Sequence, residues 1–122
     1  MVWKNPPGTP GEAVPPPGCV GYLAKMLNHI VLLKRKPDVV RQPQLEGSLV
    51  QCLRELESKI PAIRGWKLSA NELRRPISWD YVLESKFDDA RALDTFVQHP
   101  AYLAMVSLLR IYFDWAACDY TA

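Results

Sequence analysis

Few residues in this chain could do chemistry, and their types narrow what that chemistry is. His29 and His99 are the only histidines, and imidazole is the side chain whose ordinary pKa allows proton exchange near neutral pH. His29 sits in "LNHIVLLKR", where alternation puts it on one strand face with Val31 and Leu33. That register suits a general base in an apolar pocket and equally a satisfied core histidine. His99 directly precedes Pro100 in "QHPAYLAM". The residue before proline is held out of the helical region, while proline suits a first helical position. His99 is therefore expected at the junction of a broken helix, with a gating place at a pocket mouth. Asp80 and Glu84 share one face of "SWDYVLESKF". Such a pair could serve hydrolysis, but this register turns it toward a dimer interface, where ion pairs with Lys86 or arginines are the plainer use. Asp119 and Tyr120 read as the end of a strand.

Other chemistries find no support. Cys19, Cys52 and Cys118 are odd in number and widely spaced, with no CxxC pair and no histidine placed to complete a zinc set. No metal site is expected from them, and free thiols imply a reducing, cytoplasmic setting. No GxGxxG, P-loop or GxSxG pattern occurs, so no organic cofactor is expected.

The elements that must position these residues follow from periodicity. Residues 1–25 form a Pro/Gly-rich arm: "NPPGTPGEAVPPPGCVG" holds six of the eleven prolines and four of the six glycines, a composition that neither nucleates a helix nor enters a central strand. The domain spans 26–122. "MLNHIVLLKR" is a first strand, stopped by Lys36-Pro37-Asp38. Leu45, Leu49, Cys52, Leu53, Leu56 and Ile60 then recur at three and four residues, the stripe of an amphipathic helix ended by Pro61. "IRGWKLSAN" is a second strand with Gly65 at a bulge. The third alternates, with Trp79, Tyr81, Leu83, Ser85 and Phe87 on one side. Asp88-Asp89 caps the next helix; the helix opened by Pro100 carries Tyr102, Met105, Val106 and Leu109 on one stripe, and "YFDWAACDYTA" closes the chain as a last strand. The order β-α-β-β-α-β predicts an α+β, ferredoxin-like fold: a four-stranded antiparallel sheet with helices on one face. The other face would be a large apolar patch unless covered, which predicts a homodimer.

The totals exclude broad classes. The chain has 122 residues, 48% hydrophobic and 23% charged, enough for one globular domain. A net charge of +2, with only Lys34-Arg35-Lys36 as a basic run, lacks the basic stripe of a nucleic-acid binder; that run reads as a solvated strand end. No apolar stretch nears the ~20 residues of a membrane span, and the N-terminus lacks a signal-peptide pattern.

Taken together, "HIVLLKRKPD", "KIPAI", "WDYVLESKFDDARALDTFVQHPAY" and the closing "DY" resemble the stress-responsive A/B barrel (Dabb) family, over roughly Met26 to Tyr120. The resemblance implies a dimeric α+β barrel with a small apolar cavity between sheet and helices. As in olivetolic acid cyclase-like members, it places Val31, Leu33, Leu49, Leu53, Tyr81, Leu83, Phe96 and Tyr102 at that cavity, with His29 facing it. The tyrosine and histidine that transfer protons in those members correspond here to Phe96 and Tyr102, so their dyad cannot operate in this chain. The implied alternative is His29 as base and Tyr102 as acid, acting on a small aromatic or polyketide-like carbonyl compound in a cyclase, isomerase or lyase reaction. A dimer that binds a small apolar or aromatic ligand without turnover is the other reading, and the same side chains could simply fill a core.

Overall fold

The computed structural model describes residues 25–122; the proline-rich arm up to residue 24, with Cys19, lies outside the described residues. Strand β1 (Leu27–Arg35) is followed by helix α1 (Pro43–Glu55), which tightens into a 3-10 turn at Leu56–Lys59, and then by strands β2 (Gly65–Ala70) and β3 (Tyr81–Phe87). Helices α2 (Ala90–Gln98) and α3 (Pro100–Tyr112) precede the last strand, β4 (Phe113–Thr121). The antiparallel sheet has the order β2-β3-β1-β4, and the fold is ferredoxin-like α+β. β1 is thus paired on both sides, so the residues of its inner face sit in the middle of the sheet.

The registers decide which residues share that face. His29 stands opposite Ser85 of β3 and Asp119 of β4, and Leu33 opposite Tyr81 and Trp115. Directly opposed residues point the same way. Leu33, Leu83 and Phe87 of the sheet therefore pack against Leu53, Leu56 and Ile60 from the first helical segment, and against Phe96, Met105 and Leu109 from the second. Each such burial contributes about 1.5–3 kcal/mol. The opposite face carries Ile30, Leu32, Val82, Ala116, Cys118 and Tyr120, several of them exposed.

Local signals set the helix ends. Asp89 caps α2, its carboxylate accepting from the Ala92 N–H at 2.9 Å. Between α2 and α3, His99 has extended dihedrals and serves as the N-cap of α3, its Nδ1 accepting from the Ala101 N–H at 3.0 Å. The break expected at His99-Pro100 is present.

Several local expectations need correction. The buried stripe of α1 runs through Glu46, Leu49 and Leu53 and on through Leu56 and Ile60; Cys52 is exposed and Leu45 is 41% exposed, because each lies beyond one edge of that stripe, roughly 60–80° from its centre. Gly65 makes no bulge: the pairing from Gly65↔Lys86 to Ala70↔Tyr81 is unbroken. Trp79 and Asp80 precede β3 and escape its alternation. Trp79 joins Leu32 and Val82 at the open face, beneath Lys34, and does not side with Tyr81. Asp80 turns inward, so it forms no carboxylate pair with Glu84 at an interface. It accepts from the Arg35 backbone N–H at 2.8 Å, from the Arg35 guanidinium at 3.1 Å and from Arg74 at 2.6 Å. Arg35 is accordingly no solvated strand end; it also donates to Glu46 at 2.8 Å.

Candidate active site

Two polar centres flank the core at opposite ends of β1, about 20 Å apart along the strand. The first is built around Glu46, which is 5% exposed. Its carboxylate accepts from Arg35, from the Tyr81 hydroxyl at 2.5 Å and from the Tyr112 hydroxyl at 2.9 Å. The Tyr112 hydroxyl accepts in turn from the Gln42 N–H at 3.1 Å. Every member has a partner. Burial, joined by the neighbouring Glu46 carboxylate, pushes the Tyr81 phenol up to about 12. Burial would raise the Asp80 carboxyl as well, but the Arg35 N–H and the Arg74 and Arg35 charges outweigh it and hold it below its ordinary value. Such a closed network fixes structure and leaves no atom free to react.

The second centre is different. His29 is 9% exposed, and its Nδ1 is bonded to an Asp119 carboxylate oxygen across the β1–β4 pairing. The backbone under His29 is clamped by Ser85, whose buried hydroxyl donates to the His29 carbonyl at 2.9 Å. Phe87 and Phe96, 5.0 Å from each other, pack together against the ring at centroid distances of 6.3 and 6.5 Å. A carboxylate can only accept, so the neutral imidazole carries its proton on Nδ1 and presents the Nε2 lone pair. Tyr102 is half-buried, with its ring 4.6 Å from Phe96. Burial raises the Tyr102 phenol above its ordinary pKa, which keeps it a hydrogen-bond donor at neutral pH. Neither Nε2 of His29 nor the Tyr102 hydroxyl has a hydrogen-bond partner among the described residues.

Both side chains line one cavity of about 90 Å³ between sheet and helices. Val31, Leu33, Leu53, Leu83 and Phe96 line it with them. The other three expected site residues are elsewhere: Leu49 is packed in the core, Tyr81 turns to Glu46, and His99 caps α3. Trp66, Val106, Leu109, Trp115 and Ala117 complete the wall, and sequence reasoning missed them. It also missed Asp119. The alternation of Phe113, Trp115 and Ala117 puts Asp119 on the inner face, and that was the available signal. Among the described residues no three His, Cys, Asp or Glu side chains come together as a metal set, and no helix is long and apolar enough to cross a membrane.

Comparison with known proteins agrees with this geometry. The family model described as Stress responsive A/B Barrel Domain (Dabb) matches residues 27–122. An uncharacterised protein of Streptomyces coelicolor is 36% identical over 95 residues, covering 78% of this chain and 98% of that protein. A dimeric protein of ferredoxin-like fold from Bacteroides fragilis superposes with a TM-score of 0.70 at 27% identity, covering 80% of this chain and 96% of the other. The hydroxynitrile lyase of Passiflora edulis shares the fold with a TM-score of 0.70 at 15% identity, over 81% of this chain and 94% of its own.

Proposed function

The chain belongs to the stress-responsive A/B barrel family, and from that premise we propose a small-molecule enzyme of the lyase, isomerase or cyclase type that acts on a carbonyl compound by general acid–base catalysis. One observation carries this reading: His29 is held by Asp119 through Nδ1 at the wall of an apolar cavity, with Nε2 left without a partner among the described residues. Nε2 takes a proton from the carbon beside the carbonyl, or from a hydroxyl on the carbinol carbon. The released electron pair moves toward the carbonyl oxygen or expels the leaving group. Asp119 stabilises the imidazolium so formed, and the Tyr102 phenol donates a hydrogen bond to the oxygen that gains or loses charge. The shared fold with a hydroxynitrile lyase supports the lyase class among the three.

The working unit in this proposal is a homodimer closed over the apolar face of Ile30, Leu32, Val82 and Tyr120, as the dimeric relative supports. The exposed free thiols Cys52 and Cys118 suit a reducing cytoplasm. The cavity favours a second reading: about 90 Å³ is well below the ~300 Å³ at which ordinary ligand pockets begin, as in a binding protein without turnover.

Exchange of the α-hydrogens of butanone for deuterium in D2O decides between them. The enzyme reading expects protein-catalysed exchange that falls by roughly 100-fold or more in His29→Gln. Wild-type protein with no exchange above buffer, or full exchange in His29→Gln, would leave the binding protein as the better reading.

A further inference from the structure

The cavity wall says more than which base it holds. Among the described residues its only side chains with polar atoms are His29, Tyr102 and two tryptophans, and the Trp66 indole N–H is already spent on the Leu53 carbonyl at 3.0 Å. No lysine or arginine among the described residues lines the cavity. The charge nearest to hand is negative, the Asp119 carboxylate bound to His29. An anion entering this space would lose its hydration, meet no cation except an imidazolium already neutralised by Asp119, and be repelled by that carboxylate. One carbonyl or hydroxyl oxygen, by contrast, finds the Tyr102 donor and the Nε2 acceptor.

Size is limited as firmly as charge. At about 90 Å³, the space is smaller than the ~150 Å³ engineered apolar cavity that accommodates benzene. Phe96 sets this limit. It is 1% exposed and touches four rings: Tyr102 at 4.6 Å, Phe87 at 5.0 Å, Trp66 at 5.8 Å and His29 at 6.5 Å between centroids. A side chain held on so many sides has no empty rotamer to swing into. Ala117, exposed on the edge strand β4 and also part of the wall, marks where the cavity meets solvent.

We infer that this site selects an uncharged compound of about five non-hydrogen atoms or fewer bearing one carbonyl or hydroxyl oxygen, that it rejects carboxylates, and that Phe96 is the residue setting the size limit. The inference rests on the cavity being the site proposed above. It assigns the substrate to small free ketones, aldehydes or their simple adducts, and excludes those that carry an anionic group or a bulky carrier into the cavity.

The test is a binding ladder on the intact protein, read by the NMR shifts of the Trp66 and Trp115 indole N–H signals. Three probes are compared: butanone, propanoate of the same size, and acetophenone. Butanone is expected to shift both signals saturably, with the carboxylate and acetophenone each binding about tenfold or more weakly. Phe96→Ala is expected to admit acetophenone at least about tenfold more tightly than wild type does, since it removes the wall side chain. Phe96→Leu gives a smaller gain in the same direction if the alanine variant does not fold, and the wild-type ladder stands without either. A carboxylate that binds as well as the ketone, acetophenone that binds wild type as tightly as butanone, or no binding by any probe overturns the inference. Deuterium exchange is scored separately. A ketone that binds selectively but does not exchange sinks the acid–base reading and upholds the selectivity, whereas exchange without selectivity does the reverse.

Discussion

The two ends of β1 use the same kinds of side chain to opposite effect. At one end Arg35, Glu46, Tyr81 and Tyr112 satisfy one another completely. At the other, His29 and Tyr102 each keep one polar atom without a described partner and face a cavity. A buried polar group without a partner costs roughly 1–3 kcal/mol, so a fold tolerates one where something else, a ligand or water, fills the role. The difference teaches where to look for function in a small domain with no cofactor motif. The densest cluster of charge is structural, and the sparse, incomplete one is the site.

The largest expected effect breaks the complete cluster. Glu46→Ala leaves the Arg35 guanidinium and two phenols facing an empty, buried space, and should cost about 3–5 kcal/mol, seen as a large fall in thermal midpoint. Loss of less than ~1 kcal/mol would mean that the network is more hydrated than its burial implies. Tyr112→Phe removes a single hydrogen bond to a buried carboxylate, and leaves the Gln42 N–H without its acceptor; about 1.5–3 kcal/mol is expected. The same cluster sets an alkaline limit. The Tyr81 pKa is raised from 10.0 to about 12, so its contribution is complete below pH 10 and fades as pH rises toward 12. Chemical denaturation across that window should show stability falling in wild type, and a flatter profile in Tyr81→Phe. At the acid end the sign reverses. Asp80 is held below 3.8, so its contribution is present above that pH and is lost as pH falls through the lower folded value.

These two clusters were unequally legible in the sequence. Strand alternation found His29, Val31 and Leu33, and the proline after His99 found the helix break, because both signals are local. Glu46 was hidden by its charge: it lies three residues before Leu49 and seven before Leu53, in phase with the buried stripe, but hydrophobic periodicity ignores acids. Leu45 and Cys52 were apolar enough to be counted on that stripe, though they lie past its edge, roughly 60–80° from its centre. Arg35 and Asp80 meet across a connection whose length and course no periodicity reports. Asp119 was misjudged for another reason. Its partner is 90 residues away, and only the β1–β4 register, which tertiary packing fixes, makes the two neighbours. The cavity was named from seven of its residues, but its volume could not be, since a lining leucine and a core leucine have the same sequence pattern.

The incomplete end answers to smaller changes in activity and almost none in stability. Asp119→Asn keeps a hydrogen-bonding group of the same shape but replaces the charge that stabilises an imidazolium, so butanone exchange should fall by about tenfold or more, equivalent to ~1.4 kcal/mol. The thermal midpoint should change little, because the Asp119 side chain is 44% exposed and an exposed pair contributes about 0–1 kcal/mol. An unchanged exchange rate would show that Asp119 only packs beside His29.

The smallest effect is the most pointed. Tyr102→Phe deletes one oxygen, the same edit as Tyr112→Phe, at the opposite end of the same helix. Tyr112 gives its proton to a buried carboxylate, whereas the Tyr102 hydroxyl has no described partner to lose. Its removal from a half-buried, aromatic setting should therefore leave stability within about 0.5 kcal/mol, or raise it slightly. Exchange should still slow by about tenfold, the share of a single hydrogen bond to a developing enolate. If Tyr102→Phe destabilises as much as Tyr112→Phe, the hydroxyl is a structural bond and the two ends of β1 are alike. If it is silent in both assays, His29 works without an acid from the protein, and water in the cavity takes that role.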